Sequence, residues 1–230
     1  MLRIISATPY GEERFKLDTL LGRSLSALRD QNLLMLTIEF DNDHRKGLSA
    51  VYNEAIEKSG PDEALLFIHH DVFIEDLDVV TTVEQALSTY DVIGLAGGIH
   101  RAPNQPSWYS ADPTRPIQEE IQKGNLSGSV GHGTGPHDKS VSVYGPAPKE
   151  VKLLDGVFLA AKSKTLKEAG VQFDEQFWFH FYDLDFCRSC EAQGLKMGTW
   201  SIPIVHSGAG RYFSPEWLNA FCAYLKKWGE

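Results

Sequence analysis

The sequence predicts a single α/β domain in which a mostly parallel central sheet is flanked by helices and carries a long loop insertion. Apolar, β-branched runs of six to eight residues alternate with stretches of helical period through the first hundred residues. Strand–helix–strand units of that kind require right-handed crossovers, and so parallel neighbours. A length of 230 residues suits one domain better than two.

The elements follow in order. Leu2–Ala7 is a strand ended by Thr8-Pro9-Tyr10-Gly11, and Glu12–Arg29 spaces Phe15, Leu20, Leu21, Leu25 and Leu28 along one helical face. Leu33–Phe40 is the second strand, closed by Asp41-Asn42-Asp43. Leu48–Lys58 is a helix ended by Gly60-Pro61. Ala64–His69 is the third strand, Leu77–Leu87 a helix, and Asp91–Ala96 a fourth strand running into Gly97-Gly98. From His100 to Lys149 the pattern dissolves into Gly, Pro, Ser and Asn, including the run 124–133. Trp108 and Tyr109 suggest a lid or acceptor-binding insertion there, with a short hairpin at Ser140–Tyr144. Regular structure returns as a strand over Val151–Ala161, interrupted by Asp155-Gly156. Then come a helix over Ser163–Ala169 closed by Gly170, a helix within Phe177–Gln193 and a strand over Met197–Val205. The last helix, Pro215–Trp228, has Ser214 as N-cap and proline in its first turn. Three segments result: 1–99 as a nucleotide-binding half, 100–150 as the insertion, and 151–230 as an acceptor and catalytic half.

Composition narrows the function. Hydrophobic residues make up 42% and charged residues 23%, ordinary for a globular protein. A net charge of −9 disfavours nucleic acid or anionic membrane as the main partner, though a bound cation could still recruit an anionic substrate. Three cysteines suggest no disulfide framework and, with no signal peptide visible, a cytoplasmic protein. No window approaches the roughly 18 apolar residues of a membrane span.

Candidate chemistry sits in two clusters. The apolar run Leu65–Ile68 stops on His69-His70-Asp71, at the strand end where open α/β sheets bind ligands. Two imidazoles and a carboxylate can hold a divalent cation and, through it, phosphate oxygens; a strand that simply reaches the surface is the plainer reading. Downstream, Asp183 and Asp185 stand two apart after five aromatics at a helix start, where capping alone would favour them. Residues two apart on a helix face different ways, so the pair has two tasks: one as a base open to a pocket, the other as a brace. His206 closes a strand before Ser207-Gly208-Ala209-Gly210, as a structural histidine or, paired with Asp71, a metal ligand. Cys187 and Cys190 lie on one helical face and are read as structural rather than redox-active. His132, His137 and Asp138 show no complete ligand set and are read as loop residues. The aromatic face of the last helix (Trp217, Phe221, Tyr224, Trp228) is read as core packing, with peripheral membrane contact as the alternative.

The ordered set resembles the bacterial family 2 glycosyltransferases of the GT-A fold, a Rossmann-related architecture, and especially their small capsule-biosynthesis-like branch. That set is His69-His70-Asp71 after a strand, Asp155-Gly156, Phe173-Asp174-Glu175-Gln176-Phe177, Asp183 with Asp185-Phe186-Cys187-Arg188, and Val205-His206. The likeness is strongest over 64–72 and 151–206, weak in the first sixty residues and absent over 100–149. The resemblance implies transfer of a sugar, of hexosyl type, from a nucleotide-sugar donor to a saccharide or other hydroxyl acceptor, in surface polysaccharide synthesis. It implies Asp71 and His206 as metal ligands and Asp183 as the base. Thr8, Asp41, His69, His70, Asp155, Gly156 and Asp185 fall among the donor- and acceptor-binding positions, Asp41 reading the nucleotide base. The family's first metal-site acid is His69 here, and the acid before its base is Tyr182. Imidazole favours Mn²⁺ over Mg²⁺. One base and one metal imply inversion, since nothing requires the carboxyl pair of a retaining glycosidase. The two departures also support an alternative: a nucleotide- or carbohydrate-binding protein of the same fold without turnover. A sugar-1-phosphate nucleotidyltransferase is disfavoured, because Ala7–Glu13 is neither Gly-rich nor basic.

Overall fold

A computed structural model describes residues 1–208, 210 and 212–229. Ala209, part of the glycine-rich run read after His206, lies outside them. Two sheets make up the domain. The larger has the order β2 (Leu34–Glu39), β1 (Leu2–Ala7), β3 (Ala64–Ile68), β11 (Phe158–Lys162), β5 (Val92–Gly94), β12 (Met197–Thr199), β9 (Lys149–Glu150). Strands β2, β1 and β3 are parallel neighbours, as are β5 and β12; β11 runs against β3 and β5, and β9 against β12. Five of the seven strands therefore point one way, the mostly parallel sheet expected. The smaller sheet has the order β10 (Leu153–Leu154), β6 (Ala96–Gly98), β7 (Leu126–Gly135), β13 (Ile204–His206), β4 (Val72–Ile74), with β8 (Asp138–Gly145) on β7.

Burial explains the strands' composition. Leu65, Leu66, Phe67 and Ile68 are all buried, as are Ile4 and Ile5 of β1, because the centre of a parallel sheet is covered on both faces. Helix α3 (Leu48–Lys58) packs Val51, Tyr52, Ala55 and Ile56 into that core, and α4 (Val79–Ala86) adds Val79, Val80 and Val83. A short helix, α5, spans Ile117–Gln122, and α6 (Ser163–Ala169) ends on Gly170 in the left-handed region at φ 64°. Helix α7 is Tyr182–Ala192. The last helix, α8 (Pro215–Trp228), has Ser214 accepting the Trp217 N–H at 3.1 Å. Its aromatic face is core: Trp217 and Tyr224 are buried against Phe181. Cys187 and Cys190 are buried free thiols, pushed up by burial, on one face of α7.

Several segments differ from expectation. Glu12–Arg29 is two helices, α1 (Glu12–Asp18) and α2 (Leu20–Leu25). Thr19 breaks it: extended at φ −87°, ψ 151°, it accepts the Gly22 N–H and donates to the Phe15 carbonyl. Three runs read as single strands each divide between the sheets: at Leu95 between β5 and β6, at 155–157 between β10 and β11, and at 200–203 between β12 and β13. The insertion is more regular than its composition suggests. Its Gly-rich run belongs to β7, which forms an antiparallel hairpin with β8 over 126–145. A Cβ at Gly131 would strike the Ile204 carbonyl, so glycine there lets β7 approach β13 closely. The insertion's irregular part is confined to 99–125, around α5.

Candidate active site

Parallel register brings the strand ends together. Ala7 pairs with Glu39 and Ile5 with Phe67, so Thr8, Asp41 and His69 emerge on one edge of the larger sheet. Because β11 is antiparallel to β3, its beginning lies at β3's end: Phe158 pairs with Ile68, and the His69 N–H reaches the Val157 carbonyl at 3.3 Å. Asp155 and Gly156 thereby sit beside the His69–Asp71 turn. From the smaller sheet, β13 pairs His206 with Val72, and the Ser207 N–H donates to the Asp71 carbonyl at 3.0 Å.

This convergence sets one carboxylate between two imidazoles. Asp71 Oδ1 lies 3.5 Å from His206 Nε2 and 4.0 Å from His69 Nδ1. It is buried and makes no hydrogen bond of ordinary geometry, with the two imidazoles within ion-pair distance. Burial alone would raise the Asp71 acid, but His206, His69 and His70 outweigh it and hold it at about 2. Burial lowers His69, with Asp71 only partly opposing, and keeps that ring neutral; at His206 burial is overcome by Asp71 and the balance is upward. The three donor atoms lie within 4.8 Å of one another. An orphaned carboxylate oxygen facing two imidazole nitrogens fits a divalent cation of borderline softness. A Cβ at Gly208 would meet Asp71 Oδ2 and His206 Nε2, so glycine leaves this corner open.

Beside the triad lies Asp183, half-buried at the start of α7. Its Oδ2 accepts the Gly156 N–H at 3.0 Å and its Oδ1 the Leu184 N–H at 2.9 Å. Burial and then the Asp155 carboxylate push the acid up to about 7, against those two donors. Asp155 itself accepts the Val157 N–H at 3.0 Å, and its charge also bears on His69, His132 and His206. Preceding α7, Phe181 is left-handed at φ 66°, which for a side chain of that size costs about 1–3 kcal/mol. Its buried ring meets Trp217 at 5.2 Å, Phe221 at 5.5 Å and Tyr224 at 5.2 Å; burial of about 1.5–3 kcal/mol plus these contacts offsets the strain. The strained residue fixes where α7 begins, and so where Asp183 points.

The remaining expected residues divide. Thr8 is buried; its carbonyl accepts the Asn42 N–H at 2.9 Å, and the Asp41 N–H reaches Tyr10, so Thr8 supports the turn carrying exposed Asp41. His70 turns away from the triad, its Nδ1 hydrogen donated to the Ala7 carbonyl at 3.2 Å and its ring edge-on to Tyr10. Asp185 takes the brace's part of the pair: at 0% exposure it accepts from Trp228 Nε1 at 2.6 Å and Lys227 Nζ at 2.8 Å. The helical turn sends it to α8 while Asp183 stays on the Gly156 side. His132, read as a loop residue, sits on β7 in register with His206, ring centroids 6.4 Å apart, and meets the Tyr144 hydroxyl at 3.3 Å. Phe179 stacks on His69 at 6.1 Å and 22° while 55% exposed. The sequence offers His132 only without a complete ligand set, and Phe179 as one aromatic among five.

A family model described as "Glycosyltransferase like family" matches residues 32–224. No curated protein matches significantly. Among solved structures, the chain is similar to the mannosyltransferase PcManGT from Pyrobaculum calidifontis, in complex with GDP-Man and Mn²⁺. Identity is 11% and the TM-score 0.51, over 92% of this chain and 58% of that one. TarS from S. aureus (residues 1–349), in complex with UDP, is 14% identical with a TM-score of 0.50, over 96% of this chain and 62% of that one. The chain thus spans about three fifths of each of these structures. At such identities the likeness is one of fold, and the fold is GT-A.

Proposed function

The chain belongs to the glycosyltransferase-like family, and from that premise we propose that it transfers a sugar from a nucleotide-sugar donor to a hydroxyl acceptor with the help of a divalent cation. The observation that carries the reading is Asp71 Oδ1, buried between His69 and His206 without a hydrogen bond, with the raised carboxyl of Asp183 nearby across Gly156. Asp71, His206 and His69 would hold the cation, which when bound supplies positive charge to a diphosphate leaving group. Two imidazoles in the set favour Mn²⁺ over Mg²⁺. Asp183 takes the acceptor hydroxyl's proton; with an acid near 7 about half of it is ionised at neutral pH, and the ionised form is basic enough to accept that proton. One base and one metal favour inversion.

Asp41, exposed on the turn that Thr8 supports, would read the nucleotide, and His70 would contact the donor. Segment 1–99 serves the nucleotide, 151–230 the acceptor and the chemistry, and 100–150 closes over the pair. A hexosyl group, a saccharide acceptor and a place in cytoplasmic surface-polysaccharide synthesis complete the reading. Among the described residues no helix is long and apolar enough to cross a membrane.

Thermal unfolding against UDP, GDP, dTDP and CMP, each with and without Mn²⁺, tests this. One nucleotide should raise Tm by several degrees only when metal is present, and Asp71→Ala should abolish that shift. No shift with any nucleotide overturns the reading. Donor binding without turnover is the second reading, favoured by Tyr182 where the family carries an acid. A wild-type protein that binds its nucleotide with metal but transfers nothing to any acceptor would establish it.

A further inference from the structure

The chain departs from the family's acidic motifs at two positions, His69 and Tyr182, and these side chains touch. His69 Nε2 and the Tyr182 hydroxyl are 2.8 Å apart, across 113 positions of sequence. The same hydroxyl donates to the Gly156 carbonyl at 2.8 Å. A phenol has one proton and a carbonyl can only accept, so that proton belongs to Gly156. The phenol oxygen must then accept from His69, which requires hydrogen on Nε2. Nδ1 is left with its lone pair, directed at Asp71 Oδ1 from 4.0 Å. Two acceptors facing each other there repel unless a positive charge lies between them. Phe179 lies nearly parallel to the imidazole, ring centroids 6.1 Å apart. Gly156 completes the arrangement, because a Cβ there would collide with the Tyr182 hydroxyl and the Asp183 side chain.

We propose that Tyr182 is a positioning residue for the metal centre, whose hydroxyl fixes His69 as the Nε2–H tautomer and so presents the Nδ1 lone pair to a cation shared with Asp71 and His206. This rests on the metal-dependent reading above. The two departures are one exchange: an imidazole replaces a metal-binding acid, and a phenol replaces the second acid because an imidazole ligand needs an acceptor for its other nitrogen. A purely structural Tyr182, buried to satisfy the Gly156 carbonyl, would affect folding and leave metal affinity alone.

The test reads metal binding by the full chain without nucleotide. Titration of Mn²⁺ followed by electron paramagnetic resonance should show Tyr182→Phe weakening Mn²⁺ by about 10–100-fold, the usual cost of removing an outer partner of a ligand. In a His69→Asp background, where no tautomer needs fixing, Tyr182→Phe should change Mn²⁺ affinity by no more than about twofold; an equal loss in both backgrounds overturns the proposal. A wild-type protein that binds no Mn²⁺ overturns both the proposal and the metal-dependent reading. Wild-type binding that survives Tyr182→Phe unchanged overturns the proposal alone. Independently of any variant, long-range ¹H–¹⁵N correlation spectra of the metal-free wild-type protein should show His69 protonated at Nε2, and a proton on Nδ1 would sink the idea.

Discussion

Asp183 is held between opposing influences: burial and the Asp155 charge favour its protonated form, while two backbone N–H groups favour the carboxylate. The balance, about 7, sets a pH dependence. Below that value the base carries a proton and cannot accept another, so transfer should rise with pH through about 7 and level off above it. For stability the sign is opposite. The native state keeps a proton that the unfolded chain releases near its ordinary value of about 3.9, so this group's contribution to stability falls as pH rises from there toward 7. Asp155→Asn removes the like charge and should move the rate profile's midpoint toward lower pH; an unmoved midpoint assigns that limb to another group. Asp183→Asn should lower transfer by about 10²–10⁴-fold while nucleotide affinity stays within a few-fold, and unchanged turnover would remove Asp183 as the base. Of these residues, Asp71, Asp183 and His206 were legible in the sequence because each ends a strand or starts a helix. Tyr182 read only as a failed match, since its task lies in a hydroxyl that meets a residue 113 positions away.

Helix α7 can aim Asp183 only because α8 holds it in place. Asp185 Oδ1 is fully buried between Trp228 and Lys227, and Lys227 also reaches Asp174 at 2.7 Å. Burial raises the Asp185 acid, with Lys227 and Trp228 opposing. Lys227→Met strands that carboxylate, and urea unfolding at pH 7.5 should show a loss of about 3 kcal/mol, near the low end for a broken buried pair because Lys227 is 31% exposed. The deficit should shrink as pH falls, since protonation relieves the buried charge; a pH-independent deficit would mean the loss is one of packing alone. At this scale the helices α3, α6 and α8 were legible, because apolar period and end signals agree. The strand divisions at Leu95, 155–157 and 200–203 were not, since an apolar run records burial and says nothing of which sheet does the burying. The hairpin of β7 and β8 was legible only at Ser140–Tyr144, which lies within its second arm, and its first arm escaped for a related reason. Its glycines reflect close approach of Ile204 to Gly131, a neighbour that no local pattern reveals.

The same divisions put the site on the seam of the whole molecule. His69 leaves the larger sheet at the end of β3, Asp71 leads into β4 of the smaller one, and His206 ends β13. A cation held by all three would tie the sheets at a point where two backbone hydrogen bonds already cross or border the turn: Val72 N–H to His69 at 3.3 Å and Ser207 N–H to Asp71 at 3.0 Å. Ligand at a hundred times its dissociation constant stabilises the native state by about 2.7 kcal/mol, or about 5–10 °C in Tm for a domain of this size. Global stabilisation alone would slow only those amides that exchange by complete unfolding. Amides at a turn exchange by local opening, and a cation on the seam must be released before that opening can occur. Hydrogen exchange with and without Mn²⁺ should therefore show added protection at Val72, Ser207 and His69, while Leu36 on the far edge strand β2 stays unchanged. In Asp71→Ala the Mn²⁺ effect should vanish at all of them. Added protection that is uniform, or that survives Asp71→Ala, would place the cation elsewhere on the molecule and detach the metal from the seam.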